Sequence, residues 1–400
     1  MREPLARWWR ALGDFGVHII GAAAYSICMR CSPHSRYLPA ALAGAFILAL
    51  ALTGCSRLLP GTFSGVIEPS IVPAADQQGF QVASRDFDFE DRPVQLRVPV
   101  DRAVYAGARS AEKSTVFFGG STSTDWVDGH YRSFVDEEHQ DPFFEALLGA
   151  LHEVRQQRNL DSSRYVELVT SMVQTMEYRV DPASLAAKFP IETFGDGYGD
   201  CDDKTLLAAA VLARDGYDVA ILLFEPEEHV ALGIRAPGLE YPGTAYAYAE
   251  TTGPSLVGVV PETLAGGVKL ESRPVVIRIG SGKQGFDAGD RISYIQDRLK
   301  KVRSTAGRLG EQITADKARL VALRTALESA RHDAEAAMDP TSGAAAVDRY
   351  NRLVKEHNDL VARLNALVAR HNALVAAERY AAEHQTARPQ VYDRLQGLEL

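Results

Sequence analysis

The spacing of apolar and polar positions divides the chain into stretches of different period. Val94, Leu96, Val98 and Val100 alternate with polar neighbours, a period of two that predicts a half-buried strand. Val116–Phe118 gives a second, shorter strand signal. The period then lengthens to that of a helix. Phe144, Leu147, Leu148, Leu151 and Val154 share one face of a helix opened by Asp141-Pro142. Tyr165, Leu168, Val169, Met172, Val173 and Met176 share one face of the next, capped at Asp161 or Ser162. Such methionines are core filler before they are ligands. Thr205–Arg214 (TLLAAAVLAR) predicts a third helix, ended by Gly216.

Strand signals return beyond that helix. Val219–Phe224 (VAILLF) is apolar without a break, as in a central strand covered on both faces. In the next strand Val230, Leu232 and Ile234 take one side, and His229, Ala231, Gly233 and Arg235 the other. The small residues on the second side are expected to leave a cleft beside His229. Thr244, Tyr246, Tyr248, Glu250 and Thr252 share one face of a further strand. A hairpin centred at Leu239–Glu240 sets His229 directly opposite Glu250. One more strand-like stretch, Arg273–Ile279, precedes Gly280–Asp290, which reads as a flexible linker.

From Ile292 onward, apolar or small residues recur at alternating steps of three and four as far as Ala334, interrupted at Asp316. That is a coiled-coil seam. Asp339–Gly343 (DPTSG) breaks it, and a second helix repeats Asn-x-Leu-Val every seven residues from Asn351 to Asn372. The two stretches, 290–337 and 345–382, predict an antiparallel helical hairpin, with His357 and His371 at the seam edges as packing residues. All apolar patterns of the preceding domain lie upstream, so the arm is expected to be separable from it.

Composition changes the picture mainly at the N-terminus. The apolar run Leu38–Thr53 follows Arg30 and Arg36 and ends in Leu52-Thr53-Gly54-Cys55. Its length suits the apolar part of an export signal, and its ending resembles a bacterial lipobox, which implies a lipidated Cys55 as the mature N-terminus. The same run also fits an uncleaved signal or a plain membrane anchor. Met29 offers a start that leaves a compact basic segment. Cys28 and Cys31 have CxxC spacing without a second ligand pair, so no zinc site follows. After processing, Cys201 is the one free thiol. A net charge of −9 argues against a nucleic-acid partner.

The candidate chemistry lies at Gly199–Lys204 (GDCDDK), between a Gly/Pro-rich loop and the Thr205–Arg214 helix. A cysteine in the first turn of a helix gains from the positive helix end. Asp202 and Asp203 oppose its thiolate, so an imidazolium partner is needed. Asp200 suits the helix cap, Asp203 a structural role at the turn, and Lys204 a solvent-facing first-turn position. The cluster Trp126–Arg132 (WVDGHYR) reads as packing rather than as part of a cleft.

GDCDDK, the glycine-ended apolar strand, HVALGI and ETTGP together resemble the transglutaminase-like cysteine enzymes, over residues 141–261. The resemblance implies Cys201, His229 and Glu250 at the triad positions, Glu250 standing where many members carry Asp. It implies an α+β, papain-like or transglutaminase-like fold, a helix bundle packed on an antiparallel sheet. The expected layout is an export signal with lipobox (1–54) and a tether with a small β region (55–125). The transglutaminase-like domain (126–280) follows, then the linker and coiled-coil hairpin (281–400). The implied activity is acyl transfer or hydrolysis at peptide or isopeptide amide bonds, without metal or organic cofactor. The rival is a non-catalytic scaffold that binds peptide or envelope partners. Either would be tethered to the bacterial envelope, facing the periplasm or the exterior, with the arm open to a coiled-coil partner.

Mass spectrometry of the N-terminal peptide tests the lipidation. A diacylated or triacylated Cys55 is expected, and an unmodified peptide spanning residues 52–58 in the membrane fraction is the opposing result.

Overall fold

Ten residues of unbroken alternation on each side of a two-residue turn build the first large element. Strands β3 (Phe80–Phe89) and β4 (Arg92–Asp101) pair antiparallel over their whole length. Glu90 and Asp91 form the turn, both with positive φ (52° and 58°), as a tight hairpin with right-handed strand twist requires. Val94, Leu96, Val98 and Val100 all face inward. The computed structural model describes residues 17–21, 65–118, 126–180, 186–264, 267–337 and 340–400. Cys28, Cys31, Cys55 and the apolar run Leu38–Thr53 lie outside the described residues.

Strands β1 (Val17–Gly21) and β2 (Gly65–Ile67) flank β5 (Ser114–Phe118) in a small antiparallel sheet. β1 lies inside the stretch read as an export signal; a chain that begins at Cys55 keeps only the β2–β5 pair. Helix α1 (Arg102–Ser110) leaves β4 through Asp101, whose carboxylate accepts from the Ala103 and Val104 N–H groups.

The helices α2 (Trp126–Val135), α3 (Asp141–Arg158) and α4 (Ser162–Gln174) follow. The Trp126–Arg132 cluster is therefore itself helical, and its His130 and Tyr131 are buried. Asp161, not Ser162, caps α4, accepting from the Arg164 N–H at 2.8 Å. The two-residue strands β6 (Glu177–Tyr178) and β7 (Tyr198–Gly199) pair in parallel around α5 (Pro190–Asp196). They lead into α6 (Cys201–Arg214).

The second sheet is antiparallel throughout. Its order is β10 (Tyr246–Ala249), β9 (His229–Arg235), β8 (Val219–Phe224), β11 (Val275–Arg278). One face packs on α6, with Ile221, Leu232, Ile234 and Ala247 meeting the helix's apolar side in the main core. The other face carries a separate cluster of Phe224, Tyr241, Tyr246 and Tyr248 around Leu222 and Ala231. The architecture is mixed α+β, with helices on one side of an antiparallel sheet and a helical C-terminal region.

That C-terminal region is the hairpin of α7 (Gly289–Ala336) and α8 (Pro340–Glu383), closed by α9 (Arg388–Gln396). Ion pairs run up one helix as they run down the other: Arg303 with Glu378 at 2.6 Å, Asp316 with Arg363 at 3.0 Å, Asp333 with Arg349 at 3.4 Å. The helices are thus antiparallel, and α7, at 48 residues, is about 72 Å long at 1.5 Å per residue. Pro340 opens the second helix, where a missing N–H costs nothing. Asp316, the interruption in the seam, is buried and paired with Arg363.

Two expectations fail here. Gly280–Asp290 is not a flexible linker. The Gly280 N–H donates to Val219 O, that of Asp218 to Gln284 O and that of Phe286 to Arg235 O, and the Phe286 ring is buried. A Cβ at Gly280, Gly282 or Gly285 would collide with the carbonyl oxygens of Tyr217, Gly216 and Arg235. These glycines permit close backbone approach. Nor is the arm separable at residue 290. Ile292, Ile295, Val302, Val391 and Leu395 belong to the main core. Arg388, wholly buried, hydrogen-bonds through Nε to Glu167 on α4. Burial pushes Glu167 up to about 7, against the pull of Arg388. The β3–β4 turn meets the same region: Arg164 clasps Glu90, and the Glu90 N–H donates to Thr386 O.

Arg388→Ala should strand the Glu167 carboxyl in the core and lower unfolding stability by about 3 kcal/mol. Replacing the distal arm, Gly310–His371, by a short loop should leave the denaturation midpoint of the α+β unit in place. Denaturant titration of both variants checks the boundary.

Candidate active site

The GDCDDK stretch begins with a cap and ends in the core. Asp200 is the N-cap of α6 and accepts from the Asp203 N–H at 3.2 Å, while Asp203 accepts from the Asp200 N–H at 3.3 Å. This reciprocal box fixes the turn that presents Cys201 as the first helical residue. The other Asp203 oxygen takes the Lys188 N–H at 2.6 Å. Asp203 thus anchors the loop, and burial followed by the Asp200 charge pushes it up to about 8.

Lys204 does not face solvent. The helix it opens is apolar on every side, so it has no wet face, and Lys204 is 0% exposed. Its ammonium donates to Gln174 O (3.4 Å), Met176 O (3.0 Å) and Thr252 O (3.2 Å). Burial lowers it to about 8, with the Glu250 charge acting in the opposite sense. Thr205 bonds the Thr251 hydroxyl at 2.9 Å. Two successive residues of the cysteine helix therefore hold the segment that carries the acid. Gln174 completes the hold, donating to Glu250 O at 2.8 Å and Ser255 O at 2.9 Å.

His229 and Glu250 meet, though not in the expected register. Tyr246 lies opposite Arg235 and Tyr248 opposite Gly233, so extending the ladder sets Glu250 opposite Ala231. The slip is two residues, because Tyr241 and Tyr246 close the loop later than a turn at Leu239–Glu240 would, the Tyr241 N–H donating to Tyr246 O. A slip of two preserves the face, whereas a slip of one would have reversed it. Glu250 therefore remains a diagonal neighbour of His229, with Oε2 at 3.4 Å from Nε2.

Tyr248 joins the pair. Its hydroxyl donates to Glu250 Oε2 and lies 3.2 Å from His229 Nε2. A phenol has one proton, and the carboxylate can only accept it, so the phenol oxygen accepts from Nε2–H. This places a proton on Nε2, so in the neutral ring it is Nδ1 that carries the lone pair. Glu250 Oε1 accepts from the Thr251 N–H, the Thr252 N–H and the Thr252 hydroxyl. Burial pushes Glu250 up. The hydrogen bond and charge of His229, with Thr252 and Tyr248, outweigh that and hold it down at about 2.

The expected cleft beside His229 is instead packed. Its face of the sheet is covered by Phe224 and the tyrosines, and a Cβ at Gly233 would press on Tyr246 and Leu222. Cys201 is half-buried, and its thiol donates to Asp202 Oδ1 at 3.4 Å. Burial, then the charges of Asp202 and Asp200, raise the thiol well above its usual range, while the Val230 N–H on the histidine's own strand works the other way. Asp202 is itself pushed up to about 6 by burial and by Asp200, and takes a hydrogen bond from Tyr131 at 3.2 Å. Asp200, Cys201 and Asp202 each place a ligand atom within 4.8 Å of the others, but the Asp200 side chain is engaged in the cap.

No family model, curated protein or solved structure matches this chain. The site therefore rests on its own geometry. Of the three residues singled out in the sequence, His229 and Glu250 meet, bridged by the Tyr248 hydroxyl, and Cys201 opens the helix packed against their sheet. Tyr248, Lys204, Thr205 and Gln174 were missed as organisers. Tyr248 shares the Glu250 face by strict alternation, and the all-apolar helix already ruled out a wet Lys204.

Lys204→Met keeps the volume and removes the ammonium, leaving three buried carbonyls unpaired. It should cost about 2–4 kcal/mol of stability, read as a lowered denaturant midpoint. Retention of the full midpoint would mean that the three bonds contribute little.

Proposed function

We propose that this protein is a transglutaminase-like cysteine acyltransferase or hydrolase with a papain-like arrangement of its site. It would act on peptide or isopeptide amide bonds while tethered to the bacterial envelope through a lipidated Cys55. The observation that carries the reading is the bridge of Tyr248 and Glu250 on Nε2, which leaves Nδ1 as the unengaged ring nitrogen of a histidine next in sequence to Val230, whose N–H reaches the Cys201 sulfur.

Burial and the neighbouring carboxylates disfavour a thiolate, so in this reading His229 acts as general base during attack. Sγ of Cys201 bonds to the amide carbonyl carbon as its proton passes to Nδ1. Imidazolium then protonates the leaving amine as the C–N bond breaks. Water or an amine next attacks the thioester carbonyl, giving its proton to Nδ1, and the C–S bond breaks as Sγ takes that proton back. Glu250, ionised at ordinary pH, stabilises the imidazolium between these steps. The Cys201 backbone N–H, free at the first turn of α6, supplies one oxyanion donor.

A second reading is a scaffold of the same fold that binds without turnover. The hydrogen bond from the thiol to Asp202, and the packed face around His229, favour it.

Alkylation of Cys201 by iodoacetamide, followed by peptide mapping, separates the two without a known substrate. For the enzyme, His229→Ala slows labelling sharply, Glu250→Gln slows it less, and Asp202→Asn speeds it several-fold near pH 7 by removing an opposing charge. For the scaffold, labelling is slow at every pH and indifferent to His229.

A further inference from the structure

The hairpin seam explains only half of the repeat in α8. Leu353, Leu360, Leu367 and Leu374 turn toward α7, Leu360 and Leu374 fully buried. The same heptads carry a second stripe, Val347, Asn351, Val354, Asn358, Val361, Asn365, Val368, Asn372 and Val375, in unbroken steps of four and three. It lies more than a quarter-turn round the helix from the leucines, with its asparagines in solvent and Val354, Val361 and Val368 half-buried along the flank of the seam. All four asparagines are exposed, and Val347 and Val375 are 45% and 43% exposed. From Asn358 to Ala376 the stripe and its outer flank (Ala362, Ala369, Ala376) bear no charge, on a helix whose other outward positions carry Arg352, Asp359 and Arg370. Packing against α7 accounts for the half-buried valines but not for the uncharged asparagine row, since a solvent face is free to vary and normally carries charge.

We propose that this stripe is a self-association seam, on which two copies of the chain pack through α8 as a parallel, in-register coiled coil. The step of three from Asn to Val puts asparagine at every a position and valine at every d position. In a parallel pair each a layer brings Asn against Asn. The amide carries both donors and an acceptor, so each asparagine satisfies its copy. An antiparallel pair sets a layers against d layers, and four asparagines would then face valines with their amides unsatisfied. A second copy supplies the matching asparagines at all four levels by symmetry, which an unrelated helix does not. The stripe from Val347 to Val375 extends about 42 Å at 1.5 Å per residue. Polar a positions throughout make the association weak and selective. The pairing places both α+β units at the same end of the assembly, and it does not depend on the acyl-transfer reading.

Sedimentation of the full chain over a hundredfold concentration range should show a monomer–dimer equilibrium. Asn358→Lys with Asn365→Lys sets like charges in two layers and should abolish the dimer while helicity is kept. Asn365→Leu should tighten it at least tenfold. Orientation is read by oxidative cross-linking in a background with Cys28, Cys31, Cys55 and Cys201 replaced by Ser, with the linked peptides identified by mass spectrometry. Asn351→Cys should link to its own copy, and so should Asn372→Cys, while Asp359→Cys on another face should not. A monomer at every concentration, a dimer indifferent to the lysines, or links only between positions 351 and 372 would each overturn the proposal.

Discussion

One buried ammonium holds the candidate site together. Lys204 sits where no water can solvate it, so its three protons must find acceptors within the protein. It finds them on two segments of distant sequence. Gln174 O and Met176 O lie at the C-terminal end of α4, where unpaired carbonyls carry the negative end of the helix dipole. Thr252 O lies just past the acid. The ammonium thus caps one helix from the first turn of another and pins the Glu250 loop to both. The Cys201 helix, the end of α4 and the Glu250 loop are tied together because a single charge has nowhere else to go.

Capping and nucleophilicity make opposite demands on the same turn. A helix that starts next to a buried loop needs acids to satisfy its N–H groups, and Asp200 and Asp203 do this reciprocally. Acids beside a thiol make its ionised form more costly, and burial adds to that cost. The cap gives Cys201 a fixed position and disfavours its ionised form. On the proposed reading the histidine compensates: its Nε2 is engaged by a phenol and a carboxylate, so the other nitrogen is the one left to take a proton.

Local periods carried most of the element boundaries. The Val94–Val100 alternation, the faces of α3 and α4, and the division of His229–Arg235 between two sides of a sheet all follow from side-chain direction alone. What could not be read was which segments approach each other. The glycines of 280–285 look alike whether they loosen a linker or let two backbones touch, because the partner carbonyls lie some 65 residues away or about 50. Register failed for a related reason: face is set by a period of two, but the closing point of a hairpin depends on loop hydrogen bonds such as that from Tyr241 to Tyr246. Lys204 was an error of a different kind. The leucines and alanines beyond it already defined a helix with no solvent side.

The clasp between the β3–β4 turn, α4 and α9 bears on how the chain is made. Gln390 donates to Glu90 O across 300 residues of sequence, and Arg388 reaches Glu167 across 221. Contacts of such separation form late and slowly. A ribosome must release the chain through α9 before the core can be closed. A product truncated short of Arg388 leaves an acid in its interior without a counter-charge and leaves the apolar start of α7 uncovered. Such chains expose what proteases and chaperones recognise, so the α9 segment decides whether the core is closed.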